Sequence, residues 1–125
     1  MQIKKIHNAS CHCGAVKFQL NLDGKLDDPR RCNCSMCSKK GAVVASVLLK
    51  DLEIIAGEDK LTLYQFNTKT AKHYFCSICG IYTHHKRRSQ PHQFAFNVAC
   101  LEGVDVFKIK NIGFIDGKNH PKDRK

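Results

Sequence analysis

All but one of the 8 cysteines fall into three short clusters, and this constrains the chain more than any other feature. Cys11 and Cys13 form C-x-C, Cys32, Cys34 and Cys37 form C-x-C-x-x-C, and Cys76 and Cys79 form C-x-x-C. A disulfide framework of eight cysteines would admit ~105 pairings, whereas clusters at these spacings converge on metals. Such thiols stay free for metal binding or catalysis in a reducing compartment. No apolar run approaches the ~18 residues a membrane span needs, and Met1 to Cys13 has no apolar core of a secretory signal. A soluble, cytoplasmic protein is expected.

A structural zinc site is tetrahedral and closed, with four Cys or His ligands taken from two short knuckles far apart in sequence. Cys11-His12-Cys13-Gly14 and Cys76-Ser77-Ile78-Cys79-Gly80 suit this role because each ends in glycine, which accepts the positive φ that turns amides toward thiolates. Pairing them leaves Cys32, Cys34 and Cys37. Three protein ligands with an open fourth position is the signature of a catalytic zinc. Three thiolates on a divalent ion leave a net charge of about −1, making a poor Lewis acid but a good holder of an incoming thiolate. The alternative is that Cys100 or a histidine closes this second site and makes it structural. Cys100 lies in the apolar run 96–101, where a free thiol reads as a small core hydrophobe. Two Zn²⁺ sites are therefore expected.

With 125 residues, 42% of them hydrophobic and 26% charged, the chain fits one domain. Its expected extent is 1–116, followed by a flexible basic tail at 117–125. Residues 15–22 alternate apolar and polar side chains as a half-buried strand does, and 42–49 read as a strand buried on both faces. Runs 52–56 and 61–66 flank a four-residue loop and predict a hairpin. Further strands are expected into Cys76, out of it from Ile81, over 94–100 and over 104–109. Residues 27–41 read as a loop with one helical turn, and 84–93 as an exposed loop. The fold class is mainly β.

The formal charge of +10 suggests an anionic partner, but seven thiolates on two zinc ions lower it to about +7. A small acidic metabolite then suits the chain as well as a polyanion. Lys86-Arg87-Arg88 reads either as a solvated loop or as a clamp for a carboxylate, which guanidinium matches bidentately. A nucleic-acid patch is the weaker reading, because no aromatic residues interleave with these charges. His84 and His85 are candidate proton donors to a substrate. Neighbouring residues point opposite ways, so at most one of the two is expected to matter. His12, His73 and His92 read as surface or sheet residues.

The order of the clusters resembles the glutathione-dependent formaldehyde-activating family, which also contains centromere protein V-like proteins. The matching stretches are Ser10-Cys11-His12-Cys13-Gly14, Arg31-Cys32-Asn33-Cys34-Ser35-Met36-Cys37, Phe75-Cys76-Ser77-Ile78-Cys79-Gly80 and Asn97-Val98-Ala99-Cys100-Leu101. The resemblance implies an Mss4-like fold of small antiparallel sheets around a structural zinc. It assigns Cys11, Cys13, Cys76 and Cys79 to the structural metal and Cys32, Cys34 and Cys37 to the catalytic one. It also implies carbon–sulfur lyase chemistry on an adduct of a small thiol with an aldehyde, such as S-(hydroxymethyl)glutathione; beside it, the position of the loop just after the second knuckle makes His84, Arg87 and Arg88 candidate substrate contacts. The rival class is a non-catalytic zinc-binding module that docks a protein or nucleic acid.

Overall fold

In a computed structural model, which describes residues 2–66, 69, 71–87 and 90–119, the alternation over 15–22 becomes strand β2 (Lys17–Asn21). Phe18 and Leu20 are buried while Lys17 and Asn21 are exposed. β2 pairs antiparallel with β1 (Ile6–Ser10) on one side and β5 (Leu52–Ala56) on the other. A second, 7-stranded sheet runs in the order β10 (Gly113–Ile115), β3 (Asp27–Cys32), β4 (Val44–Leu48), β9 (Gln93–Asn97), β8 (Tyr82–Lys86), β7 (Lys72–Cys76), β6 (Leu61–Tyr64). Among the described residues only the pairing of β10 with β3 is parallel. The fold is mainly β and built of antiparallel sheets, as expected.

The two sheets share one core, in which Val16, Phe18 and Leu20 meet Ala45, Phe96 and Val98. β4 is buried on both faces, as its apolar run predicts, with Val44 packed beside Tyr82 and Ala95 on the side away from that core. A helix, α1 (Ser35–Lys40), follows β3 and ends at Gly41.

Four expectations are corrected. Residues 52–56 and 61–66 do not form a hairpin, because β5 pairs with β2 and β6 pairs with β7. Gly57, at φ 80°, passes so close to Ala15 that a Cβ there would lie 1.9 Å from the Ala15 carbonyl oxygen. A 3-10 turn at Glu58–Lys60 then carries the chain from one sheet to the other. Residues 104–109 are no strand: the Asp105 side chain accepts the Phe107 amide at 3.0 Å and caps a 3-10 turn at Val106–Lys108, a local bond that competes with ladder pairing. The stretch 84–93 is not all loop, since β8 runs to Lys86 between β7 and β9. Finally, 27–32 is a strand despite its charge. Arg30 is buried in it because its guanidinium donates to the Asp28 carbonyl at 2.8 Å and to Ser46 Oγ at 2.9 Å.

Gly57→Ala should destabilise the protein by at least about 2 kcal/mol, since it adds a backbone clash to the cost of a positive φ. Gly103→Ala, at φ 72° with nothing within 4 Å of the added Cβ, should cost about 1–2 kcal/mol from φ alone. Urea midpoints of the two variants measure the difference.

Candidate functional site

The first cysteine group lies where two turns meet. Cys11 follows β1, and the turn closes through Gly14 N–H to the Cys11 carbonyl at 3.3 Å; Cys76 ends β7, and its turn closes through Gly80 N–H to the Cys76 carbonyl at 2.8 Å. Gly14 and Gly80 take φ 81° and 79°, the values the knuckle reading required. Cys11, Cys13, Cys76 and Cys79 bring their sulfurs within 4.8 Å of one another. Two of those separations, Cys11 to Cys13 and Cys13 to Cys76, are 3.7 Å. A tetrahedron with zinc–sulfur bonds of about 2.3 Å has edges of about 3.8 Å, so the set fits a tetrahedral metal. The Val16 and Ile78 amides each point at a sulfur, Cys11 and Cys76 respectively, at 3.4 Å. Amides of Cys13 and Ile81 hold the Cys79 thiol down to about 6, favouring the thiolate a metal needs.

The second group is Cys32, Cys34 and Cys37, again with all three sulfurs within 4.8 Å. Cys32 ends β3, and Cys34 caps α1 by accepting the Cys37 amide at 3.3 Å. Hydrogen bonds from Cys32 and then Cys37 hold Cys34 far below the usual thiol range. Both clusters could hold a metal ion, and Cys100 belongs to neither. Burial pushes the Cys100 thiol up to about 12, and its Sγ lies 3.7 Å from the Tyr82 carbonyl. It is a core thiol. The three-cysteine group is not bare on every side. Gly117 is buried against it so closely that a Cβ would lie 2.6 Å from Cys32 Sγ. Asn33 pins this turn by donating to Asp116 Oδ1 at 3.1 Å and accepting from the Lys118 amide at 2.9 Å. The stretch 117–125 thus begins against the cluster; residues 120–125 lie outside the described residues.

Sequence reasoning missed the polar face that adjoins this second cluster. The β7–β8 register slips between Phe75 opposite Tyr82 and Tyr74 opposite His84, leaving Thr83 as the extra residue of a bulge. A bulge re-aims the residues around it, so Tyr82 and His85 share the face away from the core while His84 turns into the core. The Tyr82 carbonyl near the bulge accepts Asn97 Nδ2 at 2.9 Å. On the outer face Tyr82 Oη and His85 Nδ1 are 2.6 Å apart, and the His85 ring stacks on His73 at 4.8 Å. Lys40, on the last turn of α1, places Nζ 2.7 Å from His73 Nδ1 and 3.6 Å from the Tyr82 ring centre. The available signal was spacing: Lys40 is three residues after Cys37 on a helix, and Arg30 is two before Cys32 on a strand.

The candidate substrate contacts separate. His84 is only 3% exposed and is enclosed by Phe18, Tyr74 and Phe94, with Thr83 Oγ1 2.8 Å from its Nδ1. It is a core histidine with no face to offer a substrate, which corrects that expectation. Arg87 is half-buried and donates to Gln93 Oε1 at 2.7 Å and Ser46 Oγ at 3.3 Å, next to Arg30 on the outer face. Arg88 lies outside the described residues. His12 and His92 are exposed, but His73 is buried.

The sequence pattern of a family described as glutathione-dependent formaldehyde-activating enzyme matches residues 6–115. A crystal structure of a Rhodobacter sphaeroides protein is similar at 47% identity and a TM-score of 0.79, covering 86% of this chain and 98% of that one. No helix among the described residues is long and apolar enough to cross a membrane.

Burial, and then the Lys40 charge, lowers His84 from 6.5 to about 4. Below 6.5 the unfolded chain binds a proton there that the folded chain refuses until about 4, so the stability is whole above pH 6.5 and is lost as pH falls toward 4. Between pH 7 and 4.5, wild type should lose about 2 kcal/mol more than His84→Phe. Urea titrations at the two pH values check this.

Proposed function

The chain belongs to the family of glutathione-dependent formaldehyde-activating enzymes, and from that membership we propose that it is a zinc-dependent carbon–sulfur lyase acting on the adduct of a small thiol and an aldehyde, such as S-(hydroxymethyl)glutathione. The observation that carries this reading is the division of the thiols into a set of four and a set of three. Cys11, Cys13, Cys76 and Cys79 would hold a closed structural zinc. Cys32, Cys34 and Cys37 would hold a second zinc, which when bound stabilises a thiolate as its fourth ligand. The protein's part is to bind and orient. Bringing sulfur and aldehyde carbon together in one site turns a bimolecular encounter into an effectively unimolecular one.

Glutathione carries two carboxylates, and the outer face beside the second cluster offers the Arg87 guanidinium as their partner. Nucleic acid is a poorer fit, because the basic run Lys86 to Arg87 lies at the end of a central strand and not on an open basic stripe. One observation favours the rival, a non-catalytic zinc module: the Gly117 turn is seated against Cys32 and Cys34. A purely structural second site would refuse an added thiol.

Cobalt substitution separates the two, since the visible spectrum of the three-cysteine site should change when glutathione enters a vacant fourth position. An unchanged spectrum would overturn the lyase reading. The two metals should also part company. A mild chelator should withdraw about one equivalent while the circular dichroism stays native, whereas full chelation or Cys76→Ser should unfold the chain. Structural zinc contributes about 10–16 kcal/mol, as much as the ~5–15 kcal/mol by which whole domains are stable. Cys34→Ser should keep the fold, lose one zinc and abolish adduct formation, followed by NMR of ¹³C-formaldehyde with glutathione.

A further inference from the structure

The outer face holds an ammonium in an unusual position. Lys40 is half-buried, yet its described contacts are the His73 imidazole at 2.7 Å and the Tyr82 ring at 3.6 Å, neither of them a carboxylate. An ammonium partly removed from water without an anionic partner carries a desolvation cost. What faces it instead is the thiol group of Cys37, Cys34 and Cys32, whose negative charge acts on it from its own helix and the preceding loop. From β7 it meets His73, from β8 Tyr82 and His85, and beyond these the Arg30 and Arg87 charges act on His85. A cation held between aromatic side chains and a thiolate cluster is placed to serve an anion that forms at that cluster.

We propose that Lys40 donates the proton to the aldehyde oxygen when the thiol–aldehyde bond forms, and that His73, Tyr82 and His85 position its ammonium for this. The assignment rests on the reaction proposed above. The step balances without an oxidant or reductant. The thiol has given its proton to solvent on binding; its sulfur attacks the carbonyl carbon, the C=O π pair moves onto oxygen, and a Lys40 N–H proton passes to that oxygen. The product is the S-hydroxymethyl thiol, and the amine regains its proton from solvent. In reverse, the amine takes the hydroxyl proton as the carbon–sulfur bond breaks.

Tyr82 and His85 are poorly suited to this, and Lys40 is well suited. Burial first, and then the cysteine charge facing it, pushes the Tyr82 phenol well above its ordinary range. Burial and the Lys40 charge hold His85 well below its own, so it carries no proton to give near neutrality. Burial lowers Lys40 to about 8 while the three thiolates pull it back up. An acid works best near the operating pH. The stack of His73 on His85 and the 2.6 Å contact of His85 with Tyr82 fix the rings that hold Nζ in place.

A merely structural Lys40 would anchor α1 by its charge, its hydrogen bond and its ring contact, all of which arginine can supply. Arginine cannot give up a proton. Lys40→Arg and Lys40→Met should therefore both lower kcat for adduct formation about a hundredfold or more, with zinc content and the KM for glutathione unchanged. Wild-type kcat should fall as pH rises through about 8, and both variants should lack that limb. A second readout needs no turnover: in zinc-loaded protein carrying ¹³Cε-lysine, the signal that vanishes in Lys40→Arg should shift when glutathione is added. Activity of Lys40→Arg within about threefold of wild type, or a Lys40 signal indifferent to bound glutathione, would overturn the assignment. A wild-type protein that holds both zincs and yet neither binds glutathione nor forms the adduct would instead remove the lyase reading, and this proposal with it.

Discussion

The meeting of four thiols between the turn after β1 and the turn after β7 is the contact on which the rest of the structure depends. Cys13 and Cys76, 63 residues apart, bring their sulfurs to 3.7 Å, a separation that thiolates tolerate only around a cation. Elsewhere among the described residues, β1 is tied to the segment after β9, where His7 Nε2 lies 2.7 Å from the Glu102 carbonyl and the Glu102 amide donates to the Asn8 carbonyl at 2.9 Å. The bridge from Ala9 to Leu101 belongs to that same tie, and the shared core of Phe18, Leu20 and Phe96 is non-directional. A metal at the four-thiol group would convert apolar packing of two sheets into a fixed relative orientation.

Once the small sheet covers one face of the large sheet, the other face is left to polar chemistry. The chain fills it with groups whose burial must be satisfied locally: Arg30 on Ser46 and the Asp28 carbonyl, Tyr82 on His85, Lys40 on His73. Each would be costly alone in a low-dielectric setting, and among the described residues no buried side-chain nitrogen or oxygen lacks a partner. The bulge at Thr83 makes this possible. It places Tyr82 and His85, three apart in sequence, on one side, and sends His84 into the core between Phe18 and Tyr74.

This explains what could be read from the sequence and what could not. The grouping of cysteines was legible because C-x-C and C-x-x-C spacings confine the sulfurs locally, whatever the fold does. Strands such as Lys17–Asn21 and Val44–Leu48 were legible because each meets a single apolar core in a simple period. The missing hairpin was not, because the close approach of Gly57 to Ala15 is a long-range fact. β3 was hidden for a related reason: its Arg30 is buried by partners on other segments, so the run Asp27–Cys32 shows no apolar alternation. The roles of His84 and His85 were decided by one unpaired residue, which no periodicity records.

The charge of the second cluster also limits the chemistry its neighbours can support. Three thiolates around a divalent ion leave about one negative charge, and a fourth thiolate adds another, so a site of this kind in a partly buried place needs cations near it. Lys40 and Arg87 are there, and both feel the cysteines: Cys37 first among the charges that raise Lys40, and Cys32 among those that raise Arg87. Their positive charge beside the thiols favours an anion there over neutral water. Two of the basic residues behind the formal charge of +10 thus stand beside these thiols, where they serve a local anion and not a polyanion.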